Sequence, residues 1–254
     1  MESFVGAIPL FKFSPFEFGL VALVFVWSGF VRSGLGFGGA ALSLPLLLLI
    51  FDKPLYWLPI LGSQLLLFSA LTLRTRITNV DWVVLRKSSV YILPAKLAGV
   101  FGLISLPALW LVSLIYTITL IYGILWLFNL NIRGGKGWIA NLFLVIGGYF
   151  SGTSLTGAPP IVAVFTQIVK PMQLRDTLFG LWFILVTIKL ATLAFFDIDL
   201  QFASTVILTP IALIGHVIGM KAHQIMLKNN ETFRRLLGAA LVGICLLGLG
   251  SLAV

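Results

Sequence analysis

Three cations stand inside apolar tracts of this chain: Arg32, Lys96 and Lys189. A charged side chain at bilayer depth costs at least about 2.5–3.5 kcal/mol on insertion scales, so each needs a partner. No carboxylate lies at mid-tract, and the nearest, Asp176, stands close to the start of its own tract. Cations without acids leave an interior charge that a bound anion would balance. Arg32 also opens a break, RSGLGFGG, that carries Gly34, Gly36, Gly38 and Gly39. A second break, SGTSLTGAP, supplies Ser151, Gly152, Thr153, Ser154, Thr156 and Gly157. Glycine lets a backbone approach a ligand closely. A helix restarting at Gly39 or Ala40 would aim free N–H groups and a positive dipole end at the midplane. Pro159 and Pro160 suit the first turn of a matching helix. Two such N-termini face to face make an anion cradle, with Ser33 and the hydroxyls of the second break as further donors.

Each feature has an alternative explanation. Glycines also pack helices closely. Cations can snorkel to water or cap helix carbonyls. Gln64, after Gly62 and Ser63, could donate to an oxyanion or bond a neighbouring helix. His216 stands within a span and is the candidate for proton coupling, whereas His223 reads as a loop residue. Two histidines, one cysteine (Cys245) and no clustered acids give a metal site or a hydrolase triad nothing to build on. A lone cysteine also excludes an internal disulfide. No metal, cofactor or enzymatic activity is expected.

The elements that must position these residues are membrane helices. The chain has 254 residues, of which 59% are hydrophobic and only 10% charged, with mean hydropathy +1.10. A soluble domain is about one quarter charged, so this chain cannot cover a water-facing surface. The tracts are continuously apolar, not alternating, which excludes a barrel. A net charge of +9 would suggest nucleic acid in a soluble protein. Here the basic residues sit in short loops, where they read as topology signals, and no nucleic-acid partner is expected. The start carries Glu2 and no cationic n-region, so no cleaved signal peptide is expected.

The tracts run approximately over 18–31, 40–51, 54–73, 88–104, 107–129, 138–150, 159–169, 177–196, 202–220 and 232–253. Those at 18–31, 40–51, 138–150 and 159–169 are too short to span, and they flank the two breaks in pairs. Ser33-Gly34 and Ser151-Gly152, Gly39 and Gly157, and Gly62 and Gly180 all stand 118 residues apart. Pro94 and Gly99 match Pro210 and Gly215 at an offset of 116. This is an internal duplication. It divides one membrane domain into a first module, 1–130, and a second, 131–254.

Charge decides how each broken pair runs. If each is one crossing, seven loop cations fall on either face and no bias results. If each is a re-entrant hairpin, Lys12 and Lys53 share one face and the other twelve share the opposite one. The second scheme obeys the positive-inside rule. Each module then crosses three times, so the second is inverted relative to the first. The expected fold is an all-α polytopic membrane protein. It has two inverted repeats, each a broken, re-entrant helical hairpin plus three transmembrane helices. Both termini fall outside. Inverted repeats with helix breaks at the midplane are the build of a secondary transporter.

The segments SGLGFGGAALSLPLLL with LGSQLL, GYFSGTSLTGAPPIVAVF, and FDIDLQFASTVILTPIALIGHVIGMKAHQIM resemble the TauE/SafE family of sulfite and organosulfonate exporters. The resemblance covers nearly the whole chain. It implies a bacterial inner-membrane permease that exports sulfite, sulfoacetate or a related organosulfonate, with the bilayer and a small anion as its partners. A homo-oligomer is compatible with it. The alternatives are a carrier of another small solute in the same fold and, further off, a membrane enzyme or assembly factor.

Overall fold

In the computed structural model, residues 9–35, 39–130, 134–228 and 230–252 are described. Gly36 and Gly38 of the first break, and the Arg133 topology signal, lie outside them. Ten α-helices follow one another, with no strand among the described residues. In the first half they are α1 (Pro15–Leu35), α2 (Gly39–Ile50), α3 (Pro54–Leu73), α4 (Trp82–Ser105) and α5 (Ala108–Leu127). The second half repeats the pattern with α6 (Trp138–Ser154), α7 (Ala158–Ile168), α8 (Pro171–Phe195), α9 (Phe202–Lys228) and α10 (Asn230–Leu252). Seven are long and apolar enough to cross a membrane, and α2 and α7 are short apolar helices. The protein is a multi-pass helical membrane protein.

One arm departs from the expected lengths. The tract 18–31 was expected to stop part way, but α1 has 21 residues, about 32 Å of helix. The helix continues through polar residues that interrupt the apolar tract. At its start the Ser14 backbone N–H donates to Glu17 (2.8 Å), and the Glu17 N–H donates to Ser14 Oγ (3.2 Å). This reciprocal capping box satisfies two otherwise free donors. At its end the helix runs on through Arg32, Ser33 and Gly34.

Both broken pairs fold back as hairpins. At the open end of the first, the Phe13 ring lies 5.7 Å from that of Phe51. At its closed end, Gly39 packs against Arg32 and the Ser28 carbonyl. In the second, Gly134 lies against Ala163 and Val164, and Gly157 closes on the Gly147 carbonyl and Ser151. Leu155 ends α6 in the left-handed region at φ 57°, the turn that starts the return.

The most extensive helix contacts join the halves: α1 with α9, α4 with α6, α5 with α10, and α3 with α8. The first two pairs are equivalent under the duplication, since each joins a hairpin arm of one module to the fourth helix of the other. The matched glycines explain the close approach. A Cβ on Gly99 would strike the Tyr149 carbonyl on α6, and one on Gly215 would strike the Val26 carbonyl on α1. Small residues let backbones touch where no hydrophobic drive separates helix from lipid.

Contacts also identify the two ends of the bundle. Tyr56 meets Ser204 (3.1 Å) at the end that carries Phe13 and Phe51. At the other end, Asn79 Nδ2 donates to the Met172 carbonyl (3.0 Å) and to Asp176. Two of the loop cations, Arg76 and Arg175, line a pocket at this second end, called the basic end below.

Candidate functional site

The two breaks meet. A small cavity of about 30 Å³ is walled by Arg32, Gly39 and Ala40 from the first hairpin and by Ser151, Gly157 and Ala158 from the second. Gly39 begins α2, and Ala158 begins α7. Two helix N-termini therefore border one enclosed space. It has room for a water or two, and no more.

Beside it lies a vestibule of about 430 Å³ at the basic end. Arg32, Arg76, Arg175, Asp176 and His216 supply its charged and titratable lining. Arg32 belongs to both walls.

Arg32 is 2% exposed. Its Nη2 donates to Ser28 Oγ (3.3 Å), while Nε and Nη1 have no partner. The guanidinium carbon lies 5.2 Å from the centroid of the Phe68 ring. His216 stacks on the same residue at 4.6 Å, with its Nδ1 unpartnered. A cation held against an aromatic ring is stabilised, but its N–H groups still lack acceptors. Among the described residues no acid forms an ion pair with Arg32; the salt bridge of Asp176 is with Arg76, at 3.9 Å.

The two lysines are arranged differently. Lys96 and Lys189 are 0% and 1% exposed, so they do not snorkel. Lys96 Nζ donates to the carbonyl (3.3 Å) and hydroxyl (3.1 Å) of Ser151. Lys189 Nζ donates to the carbonyls of Gly152 (2.6 Å) and Thr153 (3.3 Å). These carbonyls belong to the last turn of α6, where helical acceptors lack partners and the dipole is negative. Both amines thus cap the arm that leads into the second break.

The other expected donors divide similarly. Ser33 lines the vestibule, but its hydroxyl donates to the Gly29 carbonyl (2.5 Å). Thr153 and Ser154 donate to carbonyls one turn back, and Ser154 pairs with Thr156 at 2.6 Å. Gly152 packs against the α4 backbone at Lys96 and Gly99, as a helix-crossing residue. Gly34 lies in the last turn of α1. Gln64 is wholly buried on α3, beside the cavity residue Leu65, and neither of its amide atoms is partnered. Gly38 lies outside the described residues.

Trp182 was not foreseen. It lines the small cavity at 6% exposure, and its Nε1 has no partner. It stands 118 residues after Gln64, so the duplication that aligned Gly62 with Gly180 also marks it. Arg76 and Arg175 are hidden in the sequence by the topology bias they belong to. Phe68 carries no signal of its own.

Comparison with curated proteins and with solved structures gave no match. A family model does match. Two broken hairpins meeting inside a duplicated helical bundle accompany a match to "Sulfite exporter TauE/SafE" over residues 21–247, so the chain belongs to that family of transporters.

Proposed function

We propose that this protein is a secondary transporter of a small sulfur-containing anion, such as sulfite or a short organosulfonate, across the bacterial inner membrane. The two modules work as inverted repeats, and the anion binds between the N-termini of α2 and α7. One observation carries the reading: Arg32 is buried, keeps two donors without acceptors, and forms the wall between vestibule and cavity. A bound anion supplies the missing acceptors. Trp182, Gln64 and the free N–H groups of the two helix starts add donors around it.

The positive-inside rule places the basic end in the cytoplasm, with both termini outside. The vestibule then opens towards the cytoplasm, as an exporter requires for loading. The small cavity, at about 30 Å³, must widen before it accepts an oxyanion. Lys96 and Lys189 act by holding the α6 end and the second break in shape. His216, stacked in the vestibule wall, is placed to exchange a proton with the passing anion.

Sulfite binding to detergent-purified protein tests the reading. A charged hydrogen bond contributes about 1.5–3 kcal/mol, and about 1.4 kcal/mol is tenfold in affinity. Arg32→Gln should therefore bind roughly ten- to a hundredfold more weakly. Equal affinity in the folded variant would remove Arg32 from the site.

A further inference from the structure

The vestibule holds an acceptor without a donor as well as donors without acceptors. Asp176, on α8, is 2% exposed and lines the vestibule. Its Oδ2 accepts from Asn79 and lies 3.9 Å from Arg76, while its Oδ1 has no partner. Arg32, with two unpartnered nitrogens, lines the same space. A buried acceptor left unsatisfied is costly, and more so when it is charged. Sulfite can meet the needs of Arg32, but its oxygens repel a carboxylate. The vestibule, at about 430 Å³, also greatly exceeds the small cavity of about 30 Å³. Its wall includes Leu71, Phe179 and Met220, which suit a carbon chain.

We propose that the vestibule selects an organic anion with a hydrogen-bond donor, hydroxyl or ammonium, on the end remote from its anionic head. The unpaired atoms of Arg32 and Asp176 are buried in the vestibule wall, so the side chains turn into the space on binding: the head then meets Arg32, and the donor meets Asp176 Oδ1. Asp176 is thereby a specificity-determining residue. The charged and titratable groups around it are Arg76 from the α3–α4 connection, 3.9 Å away, and Arg175 from its own helix, with Arg32 and His216 also lining the vestibule. These cations leave the carboxylate a minority charge, so it adds discrimination, not general affinity. The inference rests on the anion site proposed above.

Three two-carbon probes differ only at the remote end: ethanesulfonate, 2-hydroxyethanesulfonate and 2-aminoethanesulfonate. Their binding to the purified full chain should be measured by calorimetry, for the parent, Asp176→Asn and Asp176→Ala. The parent should prefer at least one donor-bearing probe over ethanesulfonate by roughly tenfold. Asp176→Ala should lose that preference while still binding ethanesulfonate. Asp176→Asn, which keeps the shape and a neutral acceptor, should show a reduced preference and serves if the alanine variant fails to fold. Which probe gains more distinguishes an ammonium from a hydroxyl donor. Equal binding of all three by the parent overturns the inference, as does a preference that survives in Asp176→Asn undiminished. If ethanesulfonate binds and Arg32→Gln weakens it, the anion site stands even when the donor preference is absent. If no probe and no sulfite binds, both fall together.

Discussion

Arg32, Lys96 and Lys189 look alike in the sequence, as cations in apolar tracts, yet the structure gives them different partners. The lysine amines meet helix-end carbonyls, whereas Arg32 keeps free donors at a cavity wall. Their stability effects should therefore differ in sign. Lys189→Met leaves the Gly152 and Thr153 carbonyls unpaired, at about 1–3 kcal/mol for a buried polar group. Its melting temperature should fall. Arg32→Met removes a buried charge with incomplete bonding, and replacing such groups by apolar ones is often neutral or stabilising. Its melting temperature should hold or rise while sulfite binding is lost. Tryptophan fluorescence melts of the two proteins decide this, and an equal fall in both would count against the distinction. The sequence revealed which cations were unusual. It could not reveal where each head points, because that depends on helices more than thirty residues away in the chain.

At the scale of the element, the charge count favoured hairpins, since that scheme puts twelve loop cations on one face and two on the other, and the packing shows both pairs folded back. Their lengths were less so, because the capping box at Ser14 and Glu17 extends α1 through residues a hydropathy reading discards. The glycines at the breaks were read as ligand-facing, and the structure adds a packing constraint. A Cβ on Gly157 would collide with the Gly147 carbonyl and stand 2.7 Å from the Ser151 nitrogen. Overpacking of this kind costs about 1–3 kcal/mol. Gly157→Ala should thus lower the melting temperature and open the second hairpin. Gly19→Ala is the contrast: nothing lies within 4 Å of the new methyl, and α1 should gain about 0.5–1 kcal/mol. Equal melts for the two variants would show that the hairpin does not close at Gly157.

Across the whole molecule, the residues at the sequence offsets of the vestibule lining are packed. The counterparts of Arg175, Asp176 and Phe179 at the 118-residue offset are Trp57, Leu58 and Leu61, all 0% exposed. His216 corresponds, at the 116-residue offset, to Val100, also 0% exposed. One end is open while the residues at the matching offsets are packed, and if the two halves work as the inverted repeats proposed above, this is the asymmetry that alternating access requires. In a Cys245→Ser background, a cysteine at Thr72 should react with an impermeant maleimide from the basic side. One at Leu61 should resist until substrate is cycling, then react from the opposite side. Reaction of position 61 from the basic side would break the correspondence. In the same background, cysteines at Lys53 and Thr78 should label from opposite faces.

Transport itself is tested most directly by flux across a sealed bilayer. Sulfite-loaded proteoliposomes containing the parent protein should release their cargo into sulfite-free buffer faster than protein-free vesicles. Vesicles with Arg32→Gln at the same protein density should release it at a rate close to the protein-free background. Equal flux from parent and Arg32→Gln would contradict the placing of the anion at Arg32, and no flux from the parent would contradict sulfite as its cargo.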